Sequence, residues 1–407
     1  MRMVLVVVVG LLVLGVSPGL VVAGEEKGVA VAPNDSLFEK QRPYFEKMNV
    51  LKAWLITKGS PDVVIGIVDS GFDFYHPDLE GKLESGFYAD NAYHTETFGV
   101  VAHGTLVASI MVAKTDNEVG MAGLAPDCTV LTASVGAIEH TLLKLKRAFD
   151  EAHPGATVEE WQAEFLKHAG ELQKFSSDWT NFIARSNADA IRFLADQGVK
   201  VISSGNYYDY SLLEKGGGKE AIRSLSDAFE YAAAKDVVVV IGAGNLSIEV
   251  EDYPGDSTTV IVAGACMLDD TRWEQTIKYG NNDITQGSCY GPRLTVMAPV
   301  ESLVVCEPHE ERFYTADNGP LGKSSNEFAG AYDTHAVGAT SSAVPIVSSL
   351  VALVRSVRPD LSAKEVVQVI ERGAVDTGPP GRDTHNGYGR IDFLKTLELA
   401  KAWDNRR

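Results

Sequence analysis

With 407 residues, 45% of them apolar and 22% charged, the chain has material for a large core and lacks the composition of a disordered segment. Its formal charge of −19 argues against nucleic acid or an anionic membrane surface as a partner and suits a soluble exported protein. Residues 1–23 read as an export signal. Arg2 precedes an apolar stretch from Met3 to Val16, Ser17-Pro18-Gly19 breaks it, and Val21-Val22-Ala23 fits a small-residue cleavage site. An uncleaved membrane anchor is the competing reading, opposed by that break and by the polar residues from Glu25 onward. The expected mature chain is soluble and secreted or periplasmic, with residues 24–60 forming an arm that leads into one domain over 61–400.

Apolar runs at Val63–Val68, Val130–Val135, Val199–Ser203, Val237–Ile241 and Val260–Ala263 suit strands buried on both faces. Helical patterns at Gly104–Ala113, Asn187–Gln197, Ala221–Lys235 and Ser341–Val357 lie between or after them. This alternation predicts an α/β fold, a three-layer sandwich with a mostly parallel central sheet. Two segments break the rhythm. Residues 138–185 are rich in helix formers, with a capping-box spacing at Thr157 and Glu160 and with Trp161, Phe165 and Leu172 on one helical face. Residues 306–337 carry Pro308, Gly319-Pro320 and Gly322 and read as a loop. Cys128, Cys266, Cys289 and Cys306 show no metal-like spacing. They either pair in one of three ways or stay buried thiols.

Three blocks carry the chemistry: Val64–Gly71 (VIGIVDSG), Ala102–Ser109 (AHGTLVAS) and Gly338–Pro345 (GATSSAVP). In order they supply Asp69, His103 and Ser341, an orienting acid, a base and a nucleophile. The order Asp…His…Ser differs from that of the α/β-hydrolases, and no GxSxG elbow is present. Asp69 ends a buried run, so it is expected at the carboxyl edge of the sheet. His103 opens a helix, and the small Gly104 is expected to let the nucleophile approach the ring. Ser341 begins a long apolar helix whose free N–H groups favour an oxyanion.

With their flanks, including Asp73 and His76-Pro77-Asp78-Leu79, these blocks resemble the subtilase family of serine peptidases over roughly residues 40–400. Aligning Thr340 and Pro345 with the family's G-T-S-x-A-x-P selects Ser341 over Ser342, with Ala339 where the family has Gly. Val237–Asn245 (VVVVIGAGN) is similar to the family strand that ends in A-G-N and nominates Asn245 as oxyanion donor. The segments 138–185 and 306–337 then read as insertions, the first either a wall or lid beside the cleft or a peripheral decoration. The resemblance implies an exported endopeptidase acting on peptides or proteins, with no cofactor for catalysis. It also implies a structural calcium ion on Asp78, Asn117 and the main chain of Thr115, Val119 and Met121, with Gln41 as a further ligand. A polar loop without metal is the alternative. Gly205-Asn206-Tyr207 stands where the family has its S-x-G substrate edge, and Gly244 joins it as a substrate contact. Tyr207 and Tyr208 read either as groove walls or as packing. The stretch from Ala23 to Gln41 is too short for the usual subtilase prodomain, so folding either proceeds unaided or uses another element. A non-catalytic or narrowly specific binding module on the same scaffold is the rival function. Loss of Asp69, His103, Ser341 or Asn245 would favour it, and all four are present.

Overall fold

The computed structural model describes residues 30–89, 103–135, 152–154, 160, 184–206, 208, 218–253, 258–279, 282–306, 313–314, 320–321, 332–336 and 339–404. The predicted leader at 1–23, Tyr207, and Trp161, Phe165 and Leu172 of the 138–185 segment lie outside the described residues.

In chain order the strands are β1 (Val64–Asp69), β2 (Leu83–Tyr88), β3 (Thr129–Ser134), β4 (Val201–Ser204), β5 (Val238–Gly242), β6 (Val260–Cys266), β7 (Glu274–Tyr279), β8 (Asn282–Gly287), β9 (Val296–Pro299) and β10 (Leu303–Cys306), followed by β11 (Phe313–Tyr314), β12 (Pro320–Leu321) and β13 (Tyr332–Ala336). The helices are α1 (Phe38–Lys47), α2 (Val50–Ala53), α3 (His103–Val112), α4 (residues 184–196), α5 (Lys219–Ala234), α6 (Thr340–Val357), α7 (Ala363–Gly373) and α8 (Phe393–Ala402). Seven strands form the central sheet in the order β2-β3-β1-β4-β5-β6-β9, and each neighbouring pair is parallel.

The uninterrupted valine runs have a direct cause. Val238 and Val240 of β5 pack into the core under α3, α6 and α7, whereas Val239 and Ile241 enter the core under α4 and α5. A parallel strand covered on both faces has no solvent side on which to place polar residues. Helix α6 follows the same logic. It is apolar enough to cross a membrane, yet 78% of it is buried as the central helix of the domain.

β1 lies between β3 and β4, where the chain reverses its direction of travel across the sheet. The carboxyl end of β1 therefore opens onto a crevice at the topological switch point, the usual ligand position in open α/β sheets.

One expectation is corrected and one open reading is decided. The 306–337 segment is not wholly loop: β10 pairs with β13 and β11 with β12, both antiparallel. Pro320 is tolerated in β12 because it sits on a two-residue edge pairing. Between the open readings for the cysteines, the structure selects four free, buried thiols. Burial pushes Cys266 up to about 12, so it is an inert core side chain rather than a nucleophile.

Candidate active site

Asp69 is the last residue of β1, and His103 the first of α3, and sheet geometry brings them together. His103 Nδ1 lies 2.8 Å from Asp69 Oδ1 and 3.0 Å from Oδ2. A carboxylate can only accept there, so the ring proton stays on Nδ1 and Nε2 is left as the base. Asp69 is buried and its Oδ1 also accepts from the Ser70 N–H at 2.7 Å. The carboxylate is thereby oriented by its own turn as well as by the imidazole.

The helix bearing His103 docks through local polar contacts. Gly104 N–H donates to the Ser70 carbonyl at 3.0 Å, and Thr105 Oγ1 accepts from the Asp73 N–H at 2.8 Å. Gly104 is small for a different reason from the one expected. A Cβ there would stand 2.5 Å from the Phe72 ring and 2.6 Å from the Gly71 carbonyl. The residue makes room for the β1 turn, not for the nucleophile. His76 of the HPDL block is fully buried and accepts from the Asp78 N–H at Nδ1, a structural role.

Position 205 is where the three side chains of the expected triad meet. A Cβ on Gly205 would lie 2.9 Å from Asp69 Oδ2, 3.4 Å from His103 Cε1 and 3.8 Å from Ser341 Cβ. The glycine that gives the triad its space is therefore on β4's exit, not on α3.

Ser341 is the second residue of α6, whose N-cap Ala339 offers no side-chain cap. First-turn N–H groups have no acceptor within the helix. Asn245 supplies one: its Oδ1 accepts from the Thr340 N–H at 3.0 Å and from the Thr340 hydroxyl at 2.8 Å. The same hydroxyl oxygen accepts from the Gly244 N–H at 3.2 Å. Holding the oxygen at Thr340 fixes the orientation of the Asn245 amide. Gly244 adopts φ +98°, a region that favours glycine, and this lets the chain turn Asn245 toward α6. Thr340 was legible in sequence only as an alignment mark; its part in orienting Asn245 emerges from the fold.

The predicted substrate edge is partly rewritten. Asn206 Nδ2 donates to Asn187 Oδ1 at 2.8 Å, so this side chain is turned inward rather than offered to a ligand. Tyr208 is buried and its hydroxyl donates to the same Asn187 oxygen at 2.6 Å, which decides for packing over a groove wall.

The loop after α3 is organised around Asp78. Asp78 Oδ1 accepts from Asn117 Nδ2 at 2.8 Å and Oδ2 from the Met121 N–H at 3.0 Å, while Asn117 Oδ1 accepts from the Val119 N–H. Thr115 Oγ1 accepts from the Gly123 N–H and closes the turn. Gln41 does not join this group, because its amide pairs with the main chain of Ala122 on both sides. Asp35, which the sequence reading missed, does. It accepts from the N–H groups of Asp116 and Asn117, and burial, aided by the Asp78 charge, raises its pKa above 3.8. Two buried carboxylates and an amide thus bring together hard oxygens of the kind a divalent ion takes, each of them also accepting from a group of the loop. Among the described residues no three acidic, histidine or cysteine side chains cluster, so main-chain oxygens would complete the shell.

A sequence profile of the subtilase family, peptidase S8, matches residues 60–389. A thermophilic serine proteinase of Bacillus sp. strain AK1 is 27% identical over 369 residues, spanning 90% of this chain and 70% of that protein. Thermitase of Thermoactinomyces vulgaris is 30% identical over 268 residues, 66% of this chain and 73% of its own length. The crystal structure of fervidolysin from Fervidobacterium pennivorans matches in fold with a TM-score of 0.57 at 21% identity, over 90% of this chain and 46% of fervidolysin.

Proposed function

We propose that this chain, which belongs to the subtilase family and is a serine-type endopeptidase, cleaves polypeptides outside the cytoplasm through an acyl-enzyme on Ser341. The observation that carries this reading is the convergence of the His103–Asp69 pair and the Ser341 side chain on Gly205.

Ser341 Oγ attacks the scissile carbonyl while His103 Nε2 takes its proton, and Asp69 stabilises the imidazolium that forms. The carbonyl oxygen becomes an oxyanion facing Asn245 Nδ2 and the Ser341 N–H, donors that gain strength as negative charge develops. Collapse breaks the C–N bond, and His103 returns the proton to the leaving amine. Water then enters, gives a proton to the same nitrogen as its oxygen bonds to the acyl carbon, and the C–Oγ bond breaks as His103 returns that proton to Ser341 Oγ, releasing the acid product. Residues 1–23 support export, since they have the composition of a cleavable leader.

A fluorophosphonate that phosphonylates active serines tests the site. Wild type should be labelled on Ser341, and Ser341→Ala should lose both label and peptidase activity, a roughly million-fold loss. Labelling that persists or moves to Ser342 overturns the assignment.

The same reading includes a structural calcium ion held by Asp78, Asp35, Asn117 and main-chain oxygens of Thr115, Val119 and Met121. Its contribution is to neutralise the paired carboxylates and tie the arm at Asp35 to the loop after α3.

A further inference from the structure

We propose that Asn187 is a positioning residue for the substrate edge: its buried amide fixes the segment that carries Gly205 past the triad. The inference rests on the peptidase reading above.

β4's ladder with both neighbours ends at Ser204, which pairs with Val68 of β1 and Ile241 of β5. Beyond it, the chain leaves the sheet beside Asp69 and Ser341, with nothing in either ladder to set its course. A segment outside the ladders offers its main-chain groups to an extended peptide, which can add to it as a strand. Such a contact requires the edge to hold its place to within a fraction of an ångström.

Asn187 supplies that constraint from α4, which packs on the opposite side of the edge from His103. The side chain is completely buried, and its Oδ1 takes both the Asn206 amide and the Tyr208 hydroxyl. The Tyr208 hydroxyl spends its proton on Asn187 and so accepts from the Ser204 hydroxyl at 2.9 Å. Tyr208 is seated by an edge-on contact with Phe229 of α5, rings 5.9 Å apart. Asn206 and Tyr208, which follow Gly205, thus converge on one oxygen atom, and Ser204, which precedes it, joins them through the Tyr208 hydroxyl. Residues 204, 206 and 208 all take part in this inward network. Position 205, between them, faces the triad. Buried neutral networks of this kind specify a unique geometry when every member is satisfied.

Asn187→Ala should therefore weaken the grip on long substrates and spare the chemistry. We expect kcat/KM for a peptide filling several subsites to fall about 10- to 100-fold, mostly through KM, with phosphonylation by a small fluorophosphonate within threefold of wild type. Asn206→Ala should cost less, and in the Asn187→Ala background it should cost nothing further, because the two act as one unit. Tyr208→Phe removes a single oxygen from the network, and should reproduce a threefold to tenfold loss on long peptides alone. If Asn187→Ala does not fold, Tyr208→Phe decides by the same comparison. Equal losses on probe and peptide, or additive effects of the Asn187 and Asn206 changes, overturn the proposal. A wild-type protein that does not label at Ser341 refutes the peptidase reading instead.

Discussion

The two sides of the catalytic crevice are built by different physics. On the α3 side, Asp69 and His103 meet through a charge-assisted contact, and their immediate sequence neighbours finish the job: Ser70 holds the carboxylate and the Gly104 N–H ties the helix to the strand's exit. On the β4 side no charge is used. Asn187, Ser204, Asn206 and Tyr208 form a neutral buried cluster assembled from two elements. The difference follows from what each side must do. In the proposed mechanism the α3 side has to stabilise an imidazolium during turnover, which needs a carboxylate. The β4 side has only to stay still, and a carboxylate buried beside Asp69 would add like charge and a desolvation cost.

Three experiments break or sharpen this contrast. The largest effect is expected from Asp69→Asn, which preserves shape but removes the charge and favours the wrong imidazole tautomer. Turnover should fall about 10⁴-fold with little change in melting temperature. A loss below tenfold would mean that the α3 side, too, works by position alone.

A pair of glycines provides the second. Gly205→Ala places a methyl 2.9 Å from Asp69 Oδ2 and should lower kcat roughly 10- to 100-fold with a small stability change. Gly104→Ala forces a methyl against Phe72 and the Gly71 carbonyl and should cost about 1–3 kcal/mol of stability. Kinetics and thermal melts on both variants separate the roles. If Gly104→Ala lost activity without losing stability, its glycine would serve the nucleophile after all.

The smallest effect concerns the Asp78 loop. An ion bound only by the folded chain at 100 times its dissociation constant adds about 2.7 kcal/mol. Chelation should then lower the melting temperature by on the order of 2–5 °C, calcium should restore it, and Asp78→Ala should erase the response. Identical melts with chelator and calcium would show that the Asn117 and Met121 N–H groups hold Asp78 unaided.

By itself, the sequence determined the fold class and the family. Strands buried on both faces cannot hide their composition, and the runs around Val64, Val130, Val201, Val238 and Val260 announce five of the seven sheet strands. Asp69, His103, Ser341 and Asn245 were legible because each sits in a short block whose neighbours serve the same local turn or helix start. β2 and β9, the two edge strands, were missed, since Leu83–Tyr88 mixes in polar residues and Val296–Pro299 is a short run that ends in proline. Tertiary structure alone decided the rest. Which glycine faces the triad, which residue turns Asn245, whether Asn206 points at a ligand or into the core, and the arrival of Asp35 beside Asp78 all depend on segments tens of residues apart. A hydrogen bond such as Asn206 to Asn187 or Asp116 to Asp35 leaves no periodicity in the chain. It exists only where the parallel sheet and its crossover helices bring the partners within 3 Å.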